Sequence, residues 1–316
     1  MNTSVRCIYD ELVRRDIVVE DIQLSAGGTL LVFEYAGKLR CISGVAPDIS
    51  SGTGRTIANN KRIAYKIAMR LGLVTPATEQ YHDDAQARTF LKKYGRIVVK
   101  PFDGAHGDGV VTGVATERQL SQAIEVARDT SDTVLLQQQV QGTDVRVLVV
   151  DGQAIAISER QPASVVGDGN KTIEQLIAQE NADNPLRGEH YKKPMNYIDM
   201  TKARRFVGSR MEDIPAAGEV VQVVGTANIG SGGVAVNRTG QLPAELVQSA
   251  VMIAKALNLF ICGVDFMYDK ARETWHFIEI NSSPSFGLHL WPHEGEPVDV
   301  TGAYVNALLG AYSRDR

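Results

Sequence analysis

Apolar and polar positions along the chain follow two periods, and the switches between them predict its elements. In Ser4–Arg15, Val5, Ile8, Leu12 and Val13 recur near helical spacing, which predicts an amphipathic helix. Thr29–Gly44 reads instead as two strand-like runs about Ala36-Gly37-Lys38, a hairpin. The stretch Ser43–Thr56, rich in Gly, Ser and Pro, predicts a loop. The helical period returns from about Ala58 to Leu71, where Ile63, Ile67 and Leu71 are four apart. Gly72 is placed to stop this helix, and Pro76 follows.

From Tyr81 helices and strands interleave. A helix over about Asp84–Lys93 precedes a strand at Arg96–Lys100 and a glycine loop. Thr116-Glu-Arg-Gln119 has capping-box spacing and opens a helix over Gln119–Arg128. Strands follow at Thr133–Gln138, Asp144–Val150 and Ala154–Glu159, the last two joined by an Asp151-Gly152 hairpin turn. A second capping box, Thr172-Ile-Glu-Gln175, starts a helix to about Gln179. The polar segment Asn181–Ala217 has poor periodicity and reads as a loop with short helices. Its cations Lys192, Lys193, Lys202, Arg204 and Arg205 suit recognition of carboxylates or simply a solvated basic surface. A helix (Ala244–Leu257), two strands (Cys262–Tyr268 and Trp275–Asn281), a glycine/proline loop and a helix (Asp299–Leu309) complete an α/β pattern.

Composition narrows the classes. With 33 Lys+Arg against 37 Asp+Glu over 316 residues, the net charge of −4 lacks the basic excess that nucleic-acid binding needs. A hydrophobic share of 44% supplies ordinary cores. The 3 cysteines, Cys7, Cys41 and Cys262, stand far apart, which fits a reducing compartment and gives no zinc spacing. No signal-peptide pattern opens the chain and no run of ~18 apolar residues occurs. The expectation is a cytoplasmic protein without membrane or nucleic-acid partners.

Neither GxxxxGK[ST] nor a strand-to-helix GxGxxG is present, and HExxH and GxSxG are missing. Three other constellations carry candidate chemistry. In Val98–Gly109, Lys100 ends a strand and is followed by Gly104, Gly107 and Gly109, an arrangement that turns backbone N–H groups and a point charge toward an anion. In Cys262–Asn281, Glu279 and Asn281 are two apart on a strand and share a face, with Ile278 and Ile280 on the other, while Asp265 lies on the strand before. Oxygen donors of this kind suit Mg²⁺. In Leu135–Arg146 a strand runs through Gln137, Gln138, Gln139 and Val140 into Asp144, offering backbone groups to a purine edge and a carboxylate to ribose hydroxyls.

In this order the pieces resemble the ATP-grasp superfamily, over roughly residues 57–295. The blocks Arg160–Gly169, Asn184–Gly188, Pro215–Glu219, Thr226–Gly233 and His289–Gly295 look more specifically like the ATP-grasp region of cyanophycin synthetases. They are similar also to the glutathione-synthetase half of fused bacterial glutathione-making enzymes. The resemblance implies a three-lobed ATP-grasp fold: an N-terminal lobe (1–78), a central lid lobe (79–140) and a C-terminal lobe with the metal ligands (141–316). ATP would lie between the last two. It implies an ATP-dependent ligase that joins a small carboxylate, an amino acid or short peptide, to an amine through an acyl phosphate.

Carried over residue by residue, Lys61 and Lys100 match the lysines on the ATP phosphates, and Gly104, Gly107 and Gly109 lie in the flap above them. Gln137, Gln138, Gln139 and Val140 match the adenine hinge, and Asp144 matches the ribose acid. Asp265, Glu279 and Asn281 match ligands of Mg²⁺, or Mn²⁺ in its place. Arg160 and Asn228 match positions near the acyl phosphate and acceptor, with Arg146 on the substrate side. Gln137 and Gln138 depart from the glutamate pair often found at the hinge. The additional ligase domains of both resembled groups do not fit into this length, so a stand-alone ATP-grasp unit is expected, and a homodimer is a family expectation. Closure of a peptide ester or lactam, phosphorylation without ligation, and a nucleotide-binding regulator are the alternative readings.

Overall fold

The computed structural model describes residues 1–25, 27–102, 108–189 and 195–314. Its centre is a five-stranded antiparallel sheet in the spatial order Val234–Asn237, Gln153–Gln161, Thr143–Val150, Ile261–Asp269 and Thr274–Asn281. The strands are apolar on both faces because both are covered. Val145, Val147 and Val149 pack on one side with the helices Ala244–Ala256 and Lys61–Arg70. Leu148, Val150 and Ile261 pack on the other with the helices Thr3–Arg14 and Val300–Arg314 and the N-terminal sheet. Each fully buried Leu, Ile or Phe of these layers contributes roughly 1.5–3 kcal/mol relative to an exposed one.

The first 78 residues are shared between those two cores. Strands Val19–Gln23, Thr29–Tyr35, Lys38–Ser43 and Ala46–Pro47 form an antiparallel sheet beside the N- and C-terminal helices. The glycine-rich stretch expected to loop instead holds a helix, Gly52–Ala58. Gly54 explains it, since a Cβ there would lie 2.0 Å from the Leu257 carbonyl oxygen, so only glycine lets this turn dock. The helix expected from about Ala58 to Leu71 forms as one element that begins at Lys61. Asn60 adopts extended backbone and its Oδ1 accepts from the Ile63 N–H at 3.0 Å, capping the second helix, Lys61–Arg70.

Residues 78–138 build a separate sheet in the order Thr78–Gln80, Val134–Gln138, Ile97–Pro101 and Val111–Val114. The helices Asp84–Tyr94 and Glu117–Arg128 cover one face around a core that includes Phe90, Ile97, Val99 and Leu136. The Thr116 capping box forms as the spacing predicts. The chain re-enters the central sheet past Gly142, whose φ is +136° and whose missing side chain leaves the backbone of Tyr268 room; a Cβ would lie 2.6 Å from that residue's carbonyl carbon and oxygen. At the Asp151-Gly152 turn both residues have positive φ, 46° and 70°, as a two-residue hairpin requires.

The segment read as a loop with short helices belongs to a folded module. Strands Ser164–Val166 and Val220–Gln222 pair antiparallel, and the helices Ile173–Asp183 and Met200–Val207 pack on them around Val165, Ile177, Ile198 and Val223. Lys192 and Lys193 lie outside the described residues. Among the described residues, no helix is long and apolar enough to cross a membrane.

Candidate active site

The strand Thr143–Val150 passes from core to site along one face. Leu148 and Val150 are buried among apolar side chains, whereas Arg146 and Asp144, on the same face by the two-residue period, reach a cleft. The register sets Arg146 opposite Asp265, Asp265 opposite Glu279, and Arg160 opposite Asp144. Two adjacent rows on one face of the sheet thus carry charges drawn from four strands. A β-bulge follows Asp265 on its pairing with Glu279 and Phe277, and it skips Ile278. Ile278 and Ile280, expected on the face away from Glu279, line the same cleft, at the end of an edge strand.

The charges in these rows interlock. The Arg146 guanidinium donates from Nε to Asp265 Oδ1 at 2.6 Å and from Nη2 to Oδ2 at 2.7 Å. Arg160 donates from Nη2 to Asp265 Oδ2 at 2.7 Å and from Nε to Asp144 Oδ1 at 2.7 Å. Asp265 is 1% exposed, so its charge depends on these partners. Burial acts to raise its pKa, but Arg146 and Arg160 prevail and hold it below the usual carboxylate range. Asp144 goes the other way: burial, with the adjacent Asp265 charge, outweighs Arg160 and lifts it to about 6. Burial disfavours the Arg160 cation, and Asp144 and Asp265 more than offset it, so its pKa rises. Gly263 makes the arrangement fit, because Arg146 lies across it; a Cβ there would lie 3.0 Å from Arg146 Cδ.

Glu279 is more open, with its side chain 39% exposed and Oε1 3.9 Å from Arg146 Nη2. Asn281 Oδ1 accepts from the Ser283 N–H at 2.8 Å. Among the described residues, no three His, Cys, Asp or Glu side chains form a metal-holding group. The oxygen set Asp265, Glu279 and Asn281 nevertheless has the chemistry for a hard cation. Asp265 Oδ1 and Asn281 Oδ1 each accept one described hydrogen bond and each retains a lone pair.

The opposite wall comes from the 78–138 unit. Lys100 is 7% exposed, and its Nζ donates to Gln137 Oε1 at 3.0 Å and Tyr65 Oη at 3.1 Å. Both partners are neutral, and no carboxylate pairs with this lysine among the described residues. The Gln137 amide is used in full: its Nε2 donates to Tyr65 Oη at 2.8 Å and to Thr78 Oγ1 at 2.9 Å. The side chains of Gln138 and Gln139 accept from the N–H groups of Ala77 and Gly113. Lys61, at the start of its helix, reaches the cleft from the N-terminal region. Gly109 lies outside the lining; its φ is +70° and it packs close to Thr130 and Pro101. Gly104 and Gly107 fall outside the described residues. Together the walls enclose about 1250 Å³, with Val140 and Asn228 also in the lining.

Further residues around the site support it. Tyr65 reads as an ordinary helix residue, yet it holds Lys100 and Gln137. Arg187, buried in the 163–224 module, donates from Nη1 to the carbonyls of Asn196 and Gly232 at 2.8 and 2.9 Å, and from Nε to Glu180 at 2.8 Å. It thereby fixes the loop that begins at Asn228, whose Oδ1 accepts from the Gly230 N–H. Lys202 ties Ser231 Oγ (3.0 Å) to Asp108 Oδ1 (2.7 Å) across the cleft. His289 is buried, and burial, then Arg146, lowers its pKa to about 3, so it stays neutral.

Comparison with known proteins bears on this arrangement. Residues 66–179 match the model for the prokaryotic glutathione synthetase ATP-grasp domain, and residues 223–289 match the RimK-like ATP-grasp domain. The chain is an ATP-grasp protein. A cyanophycin synthetase from Trichormus variabilis is 30% identical over 98% of this chain and 35% of its own length. The glutathione biosynthesis bifunctional protein GshAB of Clostridium perfringens is 30% identical over 76% of this chain and 32% of its own. The ATP-grasp chain thus spans about a third of these curated relatives. The crystal structure of a bifunctional glutathione synthetase from Pasteurella multocida superposes with a TM-score of 0.69 at 24% identity, covering 99% of this chain and 44% of that one. This last likeness is one of fold.

Proposed function

We propose that this ATP-grasp protein joins a carboxylate, from an amino acid or short peptide, to an amine with release of ADP and phosphate. The observation that carries the reading is the pair of cleft walls: a buried lysine with only neutral partners faces two rows of interlocked arginines and carboxylates. Unpaired buried cationic charge is stabilised by an arriving anion, and the triphosphate supplies it. Residues 79–140 serve as the lid, residues 141–316 as the lobe with the metal ligands, and residues 1–78 as the base beneath.

Lys61 and Lys100 hold phosphate oxygens. Gln138, Gln139 and Val140 meet the adenine edge through their backbone, since the Gln137 amide is engaged in holding Lys100. Asp144 receives ribose hydroxyls while it orients Arg160. Asp265, Glu279 and Asn281 would hold Mg²⁺ or Mn²⁺, which neutralises phosphate charge when bound. The substrate carboxylate oxygen attacks the γ-phosphorus and ADP leaves. The amine nitrogen then attacks the acyl carbon, phosphate departs, and the surplus amine proton passes to phosphate or solvent. Arg160 and Arg146 carry the developing negative charge, and the Asn228 loop faces the acceptor. A dry cleft protects the acyl phosphate from water.

The test is to incubate the protein with Mg²⁺-ATP and pooled amino acids, dipeptides and polyamines, following ADP and product mass together. ADP with a product one water lighter than its two reactants is expected. ADP with a phosphorylated substrate would instead make it a kinase. Glu279→Gln should abolish turnover, and wild-type rates in that variant would remove Glu279 from the metal site.

A further inference from the structure

We propose that Arg96 is an additional nucleotide contact, its guanidinium lying against the outer part of the purine ring. The inference rests on the reading that the cleft binds ATP with its base at residues 138–140. Along the strand that ends in Lys100 the side chains alternate cleanly. Ile97 and Val99 are fully buried in the core of the 78–138 unit, whereas Arg96, Val98 and Lys100 line the cleft. At ~3.3 Å per residue, Arg96 lies about 13 Å from Lys100 along the strand, with Val98 midway.

The pairing places this strand against the hinge. Val98 is in register with Gln137 and Ile97 with Gln138, and the Gln139 N–H donates to the Arg96 carbonyl at 3.2 Å. A base whose edge meets the hinge backbone therefore covers Val98 and extends toward Arg96, while the phosphates point the other way, to Lys100. The neighbouring strand runs alongside the guanidinium. Gly113 stands beside it, where an added Cβ would come within 3.9 Å of Arg96 Nη1.

Charge supports the same assignment. Arg146 and Arg160 are committed to carboxylates, and Lys100 to Gln137 and Tyr65. Arg96 makes no ion pair among the described residues, although it lines the same cavity. Its backbone stands about 13 Å along the strand from that of Lys100, at the hinge end of the cleft. A planar, delocalised cation at that place suits the face of an aromatic base.

Calorimetric titration with ATP, ADP and AMP separates the outcomes, using wild type, Arg96→Ala, Arg96→Lys and, as a phosphate-side control, Lys100→Ala. Thermal denaturation confirms that each variant is folded. Arg96→Ala should weaken binding roughly 3- to 30-fold, by the same factor for all three nucleotides. Arg96→Lys should recover little of this, because a lysine keeps the charge and loses the plane. The Lys100→Ala loss should grow with phosphate number. Unchanged affinity in Arg96→Ala would overturn the proposal. A loss that climbs from AMP to ATP would overturn it too, by making Arg96 a phosphate contact. If the wild type bound none of the three, the ATP reading would fall first.

Discussion

On the wall from the 78–138 unit, Lys100 is buried with a tyrosine hydroxyl and a glutamine amide for company. On the wall from the central sheet, Arg146 and Arg160 are locked to Asp265 and Asp144. Both walls put cations beside the same cleft, yet they stabilise them differently. The neutral dipoles around Lys100 orient the ammonium without cancelling its charge, so an anion can arrive without displacing anything. The ionic rows cancel most of their own charge, so a ligand there must exchange with a partner already in place. The first wall is preorganised for an anion, and on the second any ligand must repartition charge that is already paired.

The largest way to break this contrast is Asp265→Asn. Removing the anion strands the buried Arg146 and leaves Arg160 with Asp144 alone, and should cost about 3–5 kcal/mol of folding stability, measured by urea denaturation. A loss under about 1 kcal/mol would mean that the rows do not hold the sheet together. Lys100→Met should be far gentler on the fold, within about 1 kcal/mol, since its partners still bond each other, while ATP affinity falls at least tenfold by titration. Equal destabilisation by the two substitutions would erase the difference between the walls.

The smallest effect concerns pH. The folded-state pKa of Asp144, about 6, lies above its ordinary value, so its contribution to stability is present below the ordinary carboxylate range and is lost as pH rises through about 6. Asp265, held low, contributes in the opposite sense: its stabilisation is present above that range and fades as pH falls through its lowered pKa. The stability difference between wild type and Asp144→Asn should therefore shift in favour of the variant between pH 4 and 6, with a slope approaching one proton. A flat difference across that window would place Asp144 at an ordinary pKa.

Much of the framework is written locally. Both capping boxes, at Thr116 and Thr172, form with their side-chain and backbone bonds in place. Four of the five strands of the central sheet stand within a residue or two of where alternation puts them. What local pattern could not carry is pairing over distance. The module around Val165 depends on three-residue strands brought together from Ser164 and Gln222, too short to show a period. Strand Val234–Asn237, of four residues, is nearly as brief, and its pairing with Gln153–Gln161 is nonlocal. The site divides along the same line. Glu279 and Asn281 are two apart and declare a shared face, but the Arg146–Asp265 bond closes over 119 residues and Lys100–Gln137 over 37. The resemblance to ATP-grasp ligases drew Arg146, Asp265, Lys100 and Gln137 to one region, while their bonding to each other emerges only in three dimensions.

Gly142 sets a mechanical tolerance. The chain crosses from one wall to the other at a point where its backbone rests on that of Tyr268 with no room for a single added carbon. A side chain there would act as a wedge, prying the hinge end of the cleft apart while leaving every charged residue intact. The gauge of the opening is thus set by an absence of atoms, and the chemistry on either side is aligned by how closely two stretches of bare backbone can lie.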